Sequence, residues 1–161
     1  MIEKVFRQLD HEVRIVNREL REEGALEIPR FFIKILGQTA LIEARLDLTL
    51  FATLYIDAYA NFNSYAKTLF SKLLEKHGLF YDELSNEIWM PVETEYKLIF
   101  KGETFDGFLA KPEFVLLSKL LKAPDKNRNI IIEYLSKGPA DLFMSLCKHY
   151  EINLKEFLKH A

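Results

Sequence analysis

Two apolar runs of strand composition, 29–36 and 52–60, stand either side of Gly37, and this pairing constrains the fold more than anything else in the chain. The first, Pro-Arg-Phe-Phe-Ile-Lys-Ile-Leu, is rich in β-formers and reads as a buried strand. Gly37 breaks it, and the spacing predicts a short helix over 39–47 with Gln38 or Thr39 as its N-cap. In the second run, alternation puts Thr53, Tyr55, Asp57 and Tyr59 on one face and Leu54, Ile56 and Ala58 on the other. Strand, glycine turn, helix and strand imply a sheet flanked by helices. They also leave one acid, Asp57, in a setting where a carboxylate needs a partner.

The rest of the chain extends that pattern. Ile2, Val5, Phe6, Leu9, Val13, Val16 and Leu20 form one stripe of a helix over 2–23, ended by Gly24. A second helix is expected over 63–77, with Tyr65, Leu69, Phe70, Leu73 and Leu74 inward and Gly78 closing it. A short strand is expected at 87–90, before Pro91, and a hairpin over 95–100 and 103–109, turned at Lys101-Gly102. The last third is helical: 112–121 with Pro112 in its first turn, then 129–135, 139–150 and 153–160. Neither repeats nor a long linker divide the 161 residues, so one α+β domain is expected, a small mixed sheet flanked by helices with a helical C-terminal part over 112–161.

Composition narrows the function classes. Twenty-two basic residues against 24 acidic ones, net −2, argue against general nucleic-acid binding, which rests on many Lys and Arg contacts to phosphate. Cys147 is the only cysteine, so no intramolecular disulfide can form and a cytoplasmic location is expected. Glu3, Lys4, Arg7 and Asp10 interrupt any apolar run at the start, so no signal peptide is expected, and no run is long enough to span a bilayer.

Few residues carry chemistry. The turn Gly37-Gln38-Thr39 could bring free backbone N–H groups close to a phosphate, with Gly37 offering no side chain in the way. Asp57 has two readings, a cap or strand end and a Mg²⁺ ligand acting together with substrate phosphates. Asp106 is either a further carboxylate ligand or a turn residue before Gly107. Lys119 interrupts an apolar helix face, as a snorkelling or ion-paired side chain or as a phosphate contact. His11, His77, His149 and His160 make no metal pair by local spacing, and Cys147 reads as a buried thiol.

Gly37-Gln-Thr-Ala-Leu followed by Thr53-Leu-Tyr-Ile-Asp57 resembles the Gly-Gly-Thr-Ala-Leu…Thr-x-Asp-Ile-Asp pattern of minimal nucleotidyltransferases of the abortive-infection and toxin–antitoxin type. Two later blocks, Lys111-Pro-Glu-Phe-Val-Leu-Leu-Ser-Lys119 and Lys137-Gly-Pro-Ala-Asp141-Leu, are similar to that family's segments in order and spacing over roughly 30–155. The resemblance implies a nucleotidyltransferase-like fold, Mg²⁺ as cofactor, a nucleoside triphosphate as ligand, Asp57 and Asp106 as catalytic metal ligands, and Gly37, Gln38, Thr39 and Lys119 near the nucleotide. Two departures weaken the implied catalysis. Gln38 replaces the second glycine, and Tyr55 puts a phenol where a bridging carboxylate is needed.

The expectation is therefore a catalytically weakened or inactive nucleotidyltransferase-like protein that binds a nucleotide or a protein. The alternatives are an active Mg²⁺-dependent enzyme and a ligand-free interaction protein that dimerises through the helix over 2–23. That helix lies outside the resemblance, and its stripe fits either its own sheet or a second molecule.

Overall fold

The computed structural model describes residues 1–159 and shows a mixed α/β arrangement built on one five-stranded sheet. In chain order the elements are α1 (Ile2–Glu22), β1 (Phe31–Ile35), α2 (Gly37–Glu43), β2 (Tyr55–Ala60), α3 (Ser64–Lys76) and β3 (Phe80–Asp82). There follow β4 (Tyr96–Lys101), β5 (Phe105–Ala110), α4 (Pro112–Lys122), α5 (Arg128–Ser136), α6 (Asp141–His149) and α7 (Leu154–Lys159). The strands lie in the order β3-β2-β1-β5-β4. β1 runs antiparallel to β2 and parallel to β5; β3 is parallel to β2, and β4 antiparallel to β5.

Period-two patterning decides which face is covered. Phe31, Ile33 and Ile35 are buried and stand in register with Phe105, Gly107 and Leu109. α1 closes this face: Ile2, Val5, Phe6, Leu9 and Val13 are all buried, and the Phe6 ring meets Phe105 edge-on at 5.3 Å. The apolar stripe is thus used inside the domain as far as Val13, with Val16 and Leu20 packed at its margin. Of the stripe over 2–23, expected to fit either its own sheet or a second copy, the residues as far as Val13 are packed inside the domain.

One buried charge fixes α1 to the hairpin. Asp10 accepts hydrogen bonds from the Thr104 N–H at 2.8 Å, the Thr104 hydroxyl at 2.6 Å and the Glu103 N–H at 3.3 Å, with Arg14 at 3.6 Å. Gly102 allows this approach, because a Cβ there would stand 2.6 Å from the Asp10 carboxylate and from the Phe100 ring.

Several expected elements shift. α2 starts at Gly37, with Leu36 as its N-cap residue, so neither Gln38 nor Thr39 caps it; it ends at Glu43, just before Arg45 takes a left-handed backbone (φ 57°). α3 buries Phe70, Leu73 and Leu74 as expected, with Ala66 and, in part, Leu69, but Tyr65 is exposed. The strand expected at 87–90 is absent, and β3 forms earlier. The chain leaves Gly78 directly beside β2, where Phe80 and Tyr81 take a parallel register with Tyr55 and Ile56. A 3₁₀ turn (Glu83–Glu87) follows, and Trp89 then packs edge-on against Tyr150 at 6.1 Å. The final helix is described as far as Lys159; His160 lies outside the described residues. No helix among the described residues is long and apolar enough to cross a membrane.

Candidate functional site

Antiparallel pairing of β1 and β2 brings Asp57 back to the end of β1, where the Leu36 N–H donates to the Asp57 carbonyl at 2.8 Å. Gly37 follows with φ 58°, and a Cβ there would lie 2.4 Å from Asp57 Oδ2. A side chain at this position would therefore displace the carboxylate as well as strain the backbone. The parallel register of β2 and β3 then sets Asp82 directly beside Asp57. Asp82 also caps the 3₁₀ turn, accepting from the Leu84 N–H at 3.0 Å.

Cations face these carboxylates. α4 brings Lys119, and the connection to α5 brings Lys126 and Asn127, around an open cleft of about 760 Å³ that also contains Asp57, Asp82 and Tyr55. Lys119 Nζ lies 3.3 Å from Asn127 Oδ1. The segment between α2 and β2 forms another wall and is held at several points, among them Asp47, whose carbonyl accepts from Lys137 Nζ at 2.7 Å. Gln38 Nε2 donates to the Phe51 carbonyl at 2.9 Å, and Glu133 accepts from the Thr49 N–H at 3.0 Å and its hydroxyl at 3.1 Å.

The electrostatics reflect crowding. Burial first, and the neighbouring Asp82 carboxylate second, raise the Asp57 carboxyl above its usual range, while Lys119 and Lys126 pull it back. Burial lowers the Lys119 ammonium, Asp57 opposes that shift, and Lys126 adds to it. Two carboxylates against two ammonium groups suit a ligand carrying both charges: a hard cation on the acids and an anion on the lysines.

The other expected site residues distribute unevenly. Gly37, Gln38, Asp57 and Lys119 gather at this cleft. Asp106 does not. It stands opposite Phe32, at the other end of β1, whereas Asp57 stands opposite Leu36 on the far side. Four residues along the strand and two strand spacings across separate them by about 16 Å. Asp106 is instead ion-paired with Arg30 at 2.7 Å, so the shared cation expected for Asp57 and Asp106 has no geometry to support it. Thr39 also departs: it is buried in α2 and lines a small apolar pocket with Ile2, Ile56 and Leu79, separate from the cleft but sharing Ala52 and Thr53 with it.

Asp82, Lys126 and Asn127 are the cleft residues that sequence reasoning missed. The available signal was Phe80-Tyr81-Asp82, a second strand-like run ending in an acid. Among the described residues no group of three or more His, Cys, Asp or Glu could hold a metal ion. Compared with protein-family models, with curated proteins and with solved structures, the chain matches none.

Proposed function

We propose that this chain is a nucleotidyltransferase-like protein whose cleft binds a nucleoside triphosphate with one Mg²⁺, and in which nucleotide transfer is weakened or lost. The observation that supports this reading is the meeting of Asp57, Asp82, Lys119 and Lys126 at the Gly37 turn. The cation would rest on the two carboxylates and relieve the repulsion that raises Asp57. The lysines would take phosphate oxygens as point charges.

Transfer is weakened because two-metal phosphoryl chemistry needs carboxylates that bridge both ions. Tyr55 presents a phenol at the position that the resemblance reserves for one such carboxylate, and Asp106 is held by Arg30 far from the cleft. The active-enzyme reading has one observation in its favour: Asp82 supplies a second carboxylate beside Asp57 from a different strand.

Calorimetry with Mg²⁺ and a non-hydrolysable ATP analogue tests the proposal. Binding should require Mg²⁺ and be lost in Asp57→Ala and in Lys119→Ala, while radiolabel transfer to protein or RNA stays negligible. Robust transfer that disappears with Asp57→Ala would move the conclusion to the active enzyme. Absence of binding for every common nucleoside triphosphate defeats both readings.

A further inference from the structure

Beside its carboxylates and lysines the cleft carries exposed aromatic side chains. Tyr55 is 60% exposed although it lies in a strand, and Phe80, its register partner on β3, is 46% exposed. Their rings lie 6.0 Å apart at 38°. Phe51, 79% exposed, also lines the cleft, in the segment that Gln38 holds. Tyr55 and Asp57 share one face of β2, so the ring begins about 7 Å from the carboxylate. Exposed rings placed one strand repeat from a site for phosphate and cation form a platform on which a planar group can lie.

We propose that Tyr55, backed by Phe80, stacks the base of the bound nucleotide. This rests on the reading of the cleft as a nucleotide site. The ligand class is a purine nucleoside triphosphate, since stacking tolerates any base but favours the larger ring system. Selection among triphosphates is then set by ring area, with hydrogen bonding to the base edge secondary.

The test measures binding of Mg·ATP, Mg·UTP and Mg·tripolyphosphate to the wild-type chain, Tyr55→Ala and Tyr55→Phe. Tripolyphosphate keeps the charge of the nucleotide and lacks the base. Wild type should bind ATP more tightly than UTP, and UTP more tightly than tripolyphosphate. Tyr55→Ala should weaken ATP about tenfold and leave tripolyphosphate unchanged, while Tyr55→Phe keeps the wild-type order. If Tyr55→Ala leaves ATP binding intact, stacking is refuted and the nucleotide reading stands. If it weakens ATP and tripolyphosphate equally, Tyr55 only shapes the cleft and the proposal fails. If wild type binds neither, the cleft reading and this inference fall together.

Discussion

Asp10 and Asp57 are both aspartates withdrawn from solvent beside a glycine that makes room for them, and they behave in opposite ways. Asp10, 6% exposed, receives two backbone N–H groups and a hydroxyl, with Arg14 alongside. Asp57 stands beside the Asp82 carboxylate, and the fields of Lys119 and Lys126 favour its charge. A buried carboxylate whose hydrogen bonds are met joins two elements; one held beside a like charge costs stability. The first ties α1 to the hairpin, and the second faces an open cleft.

Removing each carboxylate gives the largest contrast. Asp10→Ala strands the Thr104 N–H, its hydroxyl and the Glu103 N–H in a buried junction, and should lower unfolding free energy by about 3–4 kcal/mol. Asp57→Asn should do the reverse and raise the melting temperature by about 2–4 °C, the shift that about 1 kcal/mol gives a domain of this size. Urea and thermal melts of the two variants decide it. A destabilised Asp57→Asn would show that Asp57 is structural after all.

The glycines sharpen the same point. At Gly102 an added methyl meets both the pinned Asp10 carboxylate and the Phe100 ring at 2.6 Å, so Gly102→Ala should cost about 2–3 kcal/mol. At Gly37 the methyl meets only the loosely held end of Asp57, which can swing away, leaving the left-handed backbone strain of about 1–2 kcal/mol. Gly37→Ala should therefore fold yet lose Mg·ATP binding as fully as Asp57→Ala does. Retained binding in a folded Gly37→Ala would break the link between the turn and the carboxylate.

The sequence exposes these two acids to different degrees. Asp57 is legible because it interrupts an apolar strand, and Lys119 because it interrupts an apolar helix face. Asp10 is hidden, since a helix with many charged residues gives no sign of which one the β4–β5 hairpin will cover. Asp82 ends a strand-like run, but its place beside Asp57 is hidden for a related reason. β3 has three residues, too few for alternation to show, and its role depends on a parallel register that only the folded sheet fixes. The same long-range order misplaces Asp106: its strand is evident, but not that the β1–β5 register puts it at the far end of the sheet from Asp57.

The smallest effect is also the most specific to Asp57. Its carboxyl is raised above the value of 3.8 that describes the unfolded chain, so the native state keeps this proton at pH values where the unfolded state has released it. Stability contributed by that proton is fully present below pH 3.8, declines as pH rises through the raised value, and then stays level. The Asp57→Asn variant, with no proton to lose, would show no such step. The stability difference between Asp57→Asn and wild type should thus be near zero below pH 3.8, grow across the window above it, and then plateau. Added Mg²⁺ should shrink the plateau in the wild type, because a cation on Asp57 and Asp82 replaces the repulsion with attraction. Chemical denaturation from about pH 3.5 to 7.5, with and without Mg²⁺, measures the whole curve. A difference that stays flat with pH would mean that Asp57 is solvated like any surface acid, and its contrast with Asp10 would then reduce to hydrogen bonding alone.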